Sequence, residues 1–99
     1  MPSNKTSPVF FYAYVLQSQR DGNYSVGYTS NLRARVEEHG RGLARATRFR
    51  LPLQLIYYEA CLNREDAKQR ERYLKITAGR RFLAKRLRHW RANIVWHLQ

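Results

Sequence analysis

The chain has 99 residues and carries 19 Lys or Arg against 7 Asp or Glu; the formal charge of +12 and pI near 10.7 call for a polyanionic partner without choosing between DNA, ribosomal RNA and an anionic membrane surface. With 43% hydrophobic and 13% aromatic residues it can form one domain with a modest core, and its single cysteine, Cys61, excludes an internal disulfide and a cysteine-cluster metal site. No apolar run approaches the roughly 20 residues of a membrane span and no signal-peptide core opens the chain, so the expectation is a cytoplasmic protein with no membrane segment.

Residues 1–8 are polar, include two prolines, and read as a disordered leader. Phe10–Leu16 and Tyr24–Tyr28 are β-branched and aromatic, and Asp21-Gly22 between them is a hairpin signal. With those two as the turn residues, Leu16 pairs with Gly27, and Tyr12, Tyr14 and Leu16 share a face with Ser25 and Gly27. The opposite face carries Ala13, Val15, Tyr24, Val26 and Tyr28. Gly27 lacks a side chain, which predicts open space beside Tyr14 where a ligand or another backbone can approach.

Thr29, Ser30 or Asn31 can cap the helix that follows, and its Leu32/Val36 stripe also contains Arg35 and His39. A guanidinium and an imidazole aimed along a helix–sheet seam are expensive there and often mark function; in the competing reading Arg35 snorkels to solvent and His39 merely ends the helix. Gly40-Arg41-Gly42 closes the helix. In the loop that follows, Arg41, Arg45, Arg48 and Arg50 are expected to contact phosphate.

Leu53–Ala60 reads as a third strand, with Leu53, Leu55 and Tyr57 on one face and Ile56 and Tyr58 on the other, which suits a sheet covered on both sides. Asn63 caps a second helix whose inward stripe is Ala67, Arg70, Glu71 and Leu74. An inward carboxylate needs a strong donor or a cation, so Glu71 is either a metal ligand or half of an ion pair with Arg35 or Lys75. Gly79 punctuates this helix; Leu83, Leu87, Trp90 and Ile94 then keep helical spacing in a third. Trp90 is expected to pack, whereas Trp96 stays open between packing and base stacking. His89 and His97 have no companions for a metal site. Residues 64–91 hold eleven Lys or Arg against Glu65, Asp66 and Glu71, and the interleaved apolar residues point to a folded basic surface.

Taken together these residues resemble the GIY-YIG nucleases, in particular the small one-domain bacterial proteins of that superfamily. Tyr12-Ala13-Tyr14 stands at the first motif, Ser25-Val26-Gly27 at the second, Arg35 and His39 at the helix positions, and Glu71 follows at the right distance. The resemblance runs from about Val9 to Leu83. It departs at Ser25, where the second motif opens with tyrosine; a water is expected to fill the gap. No P-loop, GxSxG, HExxH or dinucleotide fingerprint offers another chemistry.

The expected architecture is therefore an α/β domain of the α+β type over residues 9–88, a three-stranded antiparallel sheet flanked by three helices, with residues 89–99 as a helical extension. The resemblance implies a metal-dependent DNA endonuclease, and the chain is expected to be a monomer. Glu71 would hold one Mg²⁺ or Mn²⁺ and Arg35 would neutralise phosphate. His39 would position phosphate or water, and Tyr14 would act as, or help orient, the base, its pKa lowered by Arg35 and metal. Two other readings stand beside it: a nucleic-acid-binding module whose site Ser25 has disabled, and a basic protein bound to ribosomal RNA.

Overall fold

In the computed structural model, which describes residues 8–98 and their side chains as far as residue 93, β1 (Phe11–Ser18) is the central strand of an antiparallel sheet ordered β2-β1-β3. Residues 1–7 of the expected leader and the side chains of Trp96 and His97 lie outside the described residues. β1 pairs on one side with β2 (Tyr24–Thr29) and on the other with β3 (Leu53–Cys61). The hairpin turn is longer than the two residues expected. The buried Ser18 hydroxyl accepts from the backbone N–H groups of Arg20 and Asp21, and Gly22 turns the chain at φ +76°. The register accordingly shifts by two, so that Tyr14 faces Gly27 and Leu16 faces Ser25. A shift of two preserves both faces.

β3 departs further from expectation. Val15 faces Tyr57 but Leu16 faces Leu55, so Ile56 is an extra residue in the ladder. The bulge breaks the expected alternation. Tyr57 joins the Val15 face, whereas Leu55 stays on the Tyr14 face beside Tyr12, Leu32 and Val36. Both faces are covered, by α1 (Leu32–Gly40) on the Tyr14 side and by α2 (Arg64–Lys75) and α3 (Thr77–Arg86) on the other. The main core forms under α2 and α3, where Ala13, Val15, Leu74 and Leu83 are fully buried among Val26, Ile56, Tyr57 and Phe82.

Asn31 caps α1 by accepting from Ala34 N–H, and Asn63 caps α2 by accepting from Glu65 and Asp66 N–H. Four helices flank the sheet instead of three. α2 stops at Ile76, and a second break at Leu87 separates α3 from α4 (Arg88–Leu98). Gly79 does not end a helix. It is buried inside α3, where a Cβ would overlap the backbone of Tyr73 and Leu74, so it permits the close crossing of α2 and α3. No described helix is long and apolar enough to cross a membrane.

Candidate active site

Tyr14 is buried at 2% exposure in the middle of β1, and its side chain explains Gly27. A Cβ at residue 27 would collide with the Tyr14 hydroxyl, so the space expected for a ligand is occupied by the phenol itself. The glycine brings the hydroxyl to the sheet edge, since β2 is an outer strand.

α1 delivers two partners to that hydroxyl. His39 Nε2 lies 3.0 Å from it, and Arg35 Nε–H donates to it at 3.3 Å. Four residues apart on one helix, the two side chains converge on one oxygen. His39 Nδ1 lies 2.6 Å from the hydroxyl of Thr47, which is itself 1% exposed. Arg35 also pairs with Glu38 at 2.7 Å, so neither the expected Arg35–Glu71 pair nor a guanidinium free in solvent is found.

Burial dominates the titration of both inner groups. It pushes the Tyr14 phenol up against the opposing pull of Arg35, so the Arg35 charge alone does not lower it. It pushes the His39 imidazole down, and the Arg35 charge adds to that effect. At neutral pH the pair is therefore a phenol and an uncharged imidazole. A consistent assignment has Arg35 donating to the Tyr14 oxygen, the Tyr14 O–H donating to Nε2, and Nδ1–H donating to Thr47.

A cleft of about 600 Å³ wraps the β2 edge and is lined by Tyr14, Ser25, Gly27, Arg35, His39 and Glu71. Glu71 comes from α2, across the edge from α1. Its carboxylate is 21% exposed and paired with Lys75 at 2.8 Å, one of the two ion pairs expected for it. Among the described residues no group of three His, Cys, Asp or Glu could hold a metal ion. A single cleft carboxylate with solvent access still suits Mg²⁺ or Mn²⁺, because such an ion keeps several waters and takes further oxygens from a bound phosphate.

The other expected site residues lie elsewhere. Tyr12 stacks edge-on against Tyr58 at 5.9 Å, beside a shallow groove under α1. Arg41, Arg45 and Arg48 are exposed, with Arg48 over the Phe49 ring at 4.9 Å. Arg50 is not free to meet phosphate. It pairs with Asp21 at 3.1 Å and donates to Ser25 Oγ at 2.8 Å, so a guanidinium, not a water, holds the Ser25 hydroxyl. Thr47 and Arg80 line the cleft without having been singled out from the sequence, whereas Lys75 lines it as an expected partner of Glu71. For Thr47 the only signal was a hydroxyl among loop arginines.

Comparison with known proteins bears on the family of the chain. Relatives named UPF0213 protein, a name that states no activity, include one from Streptococcus pneumoniae at 45% identity over 65% of each chain. A second, from Pediococcus pentosaceus, is 46% identical over 67% of this chain and 77% of its own length. A third, from Clostridium perfringens, is 38% identical over 65% of this chain and 69% of its own. The chain thus spans just under two thirds of the pneumococcal relative. No solved structure matches it. The family model of the GIY-YIG catalytic domain matches residues 10–88, four fifths of the chain, and the chain belongs to the GIY-YIG family.

Proposed function

We propose that this chain is a DNA endonuclease that hydrolyses phosphodiester bonds with the help of one divalent cation, Mg²⁺ or Mn²⁺. The observation that carries the reading is the Tyr14 hydroxyl, held by Arg35 and His39 in the same cleft as Glu71. Hydrolysis needs a base for the attacking water and positive charge over the phosphate oxygens. Tyr14 is the base. As it takes a proton from water its own passes to His39 Nε2, which burial keeps unprotonated at neutral pH. Arg35 stabilises the negative charge passing through the phenol oxygen, and its remaining N–H groups face phosphate. Glu71 would hold the cation, which supplies charge neutralisation at the scissile phosphate and the leaving oxygen. Thr47 fixes the imidazole plane and its tautomer.

Arg35 and Glu71 give the test. Glu71→Gln should abolish Mg²⁺-dependent cleavage of plasmid or branched DNA with affinity equal or higher, because a negative charge facing phosphate is lost. Arg35→Ala should lose cleavage and some affinity together. Cleavage by Glu71→Gln at the wild-type rate would rule out this site.

A second reading, a DNA-binding module with a disabled centre, is favoured by one observation: Ser25 Oγ is already engaged by Arg50. Ser25→Tyr separates the two. On the endonuclease reading it raises a weak wild-type rate, tenfold for about 1.4 kcal/mol of restored transition-state stabilisation. If wild type and Ser25→Tyr both bind DNA and neither cuts, the module reading holds.

A further inference from the structure

A second concavity of about 760 Å³ lies between the β1–β2 turn and helices α3 and α4, lined among others by Gln17, Asp21, Tyr24, Arg80, Arg88 and Arg91. It shares Tyr24 and Arg80 with the cleft of the proposed active site, so the two concavities adjoin around the β2 edge. We propose that this groove is a second nucleic-acid contact surface, in which Arg80, Arg88 and Arg91 hold the phosphodiester backbone of DNA as it leaves the cleft. The inference rests on the endonuclease reading and assigns the path of its substrate.

Three features of the groove carry it. Its lining from α3 and α4 runs Arg80, Ala84, Arg88, Arg91 and Ala92, so three guanidinium groups are interspersed with two methyl groups that leave room for a strand to lie along it. Its cations are uncompensated. The one acid in the lining, Asp21, is taken up by Arg50, and among the described residues none of Arg80, Arg88 and Arg91 forms an ion pair. Arg80 sits 5.9 Å from the Tyr24 ring, and both Arg80 and Arg91 act electrostatically on the Tyr24 phenol, so the charges converge at the junction with the cleft. Gathering like charges in one groove is unfavourable in the free protein and is relieved by an anion.

The groove is also rigidly built. Trp90 lies between Arg88 and Arg91, and its indole N–H donates to the buried Gln17 side chain at 2.8 Å. Gln17 in turn donates to Gly22 O at 2.9 Å. The start of α4 is thereby tied to the hairpin, and the two arginines beside Trp90 are carried at a fixed place along the groove. A solvated basic helix face would need no such tie.

The experiment measures duplex DNA affinity by fluorescence anisotropy in EDTA across a salt series. Arg88→Ala with Arg91→Ala should make the slope of log affinity against log salt shallower by about 1.8, at about 0.9 for each lost phosphate contact. Arg88→Lys with Arg91→Lys should keep most of the slope. Arg81→Ala with Lys85→Ala removes the same charge from exposed positions of α3 outside the groove and should leave the slope near wild type. The inference is overturned if wild type binds with a steep slope and the groove variant matches it. It is equally overturned if the α3 control lowers the slope as much, for then net charge alone is responsible. Wild-type protein that shows no salt-dependent DNA binding would overturn the endonuclease reading itself, and this inference with it.

Discussion

The Tyr14 oxygen and the His39 ring show how a few buried atoms set the behaviour of the site. His39 is 5% exposed, and both burial and the Arg35 charge hold its pKa below the ordinary value. The unfolded imidazole takes up its proton near pH 6.5, roughly the reference value, while the folded one resists until the pH is lower. Between those two points the unfolded state binds more protons, so stability falls as pH drops through about 6.5. Urea unfolding should therefore show wild type losing more stability than His39→Gln between neutral pH and about pH 5.5. Equal losses would mean that His39 does not carry the effect. The residues that converge on Tyr14 from α1 were legible in the sequence because helical spacing puts Arg35 and His39 on one stripe. Thr47 was not, because it sits in an irregular loop that only the fold brings to Nδ1. Arg50 looked like its loop neighbours because its partner Asp21 is 29 residues away in the chain.

Among the elements, α3 depends on a missing side chain. Gly79 is buried against the backbone of α2, and the neighbouring Arg80 lines the cleft. Gly79→Ala should therefore destabilise by about 3 kcal/mol, the upper end for overpacking, because backbone cannot move aside as a flexible side chain can. It should also weaken DNA binding by moving Arg80. Gly40→Ala, at the end of α1 with nothing near its added methyl group, should be neutral or slightly stabilising. Thermal unfolding of the two variants tests the contrast. The elements themselves were largely legible: three strands, the asparagine caps and the apolar stripes follow from local propensity. What escaped was decided by contacts between elements. The Ile56 bulge comes from pairing with β1, the longer hairpin turn from a hydroxyl buried under the Arg50 loop, and the crossing at Gly79 from packing of α2 on α3.

At the scale of the molecule, the cleft runs around one sheet edge with a basic loop on the α1 face and a basic groove on the α2 and α3 face. Thr47 anchors that loop beside His39, leaving Arg45 and Arg48 exposed next to the cleft-lining Ala46 and Thr47. Arg45→Ala with Arg48→Ala should make the DNA salt slope shallower by about 1.8, whereas Arg50→Ala should mainly cost stability, because its guanidinium joins the hairpin turn to β2. Salt-dependent binding and thermal melts of the two proteins check the division. The strand order has one more effect. β2 is an outermost strand, and a row of unpaired amide and carbonyl groups invites another chain to extend the sheet. Here that row is bordered by Arg35, Lys75 and Arg80. Arg35 and Lys75 are paired with Glu38 and Glu71, but Arg80 is in no ion pair among the described residues. Two molecules meeting β2 to β2 would set one Arg80 against the other, so a charge that the proposed function turns toward phosphate also guards the edge against aggregation.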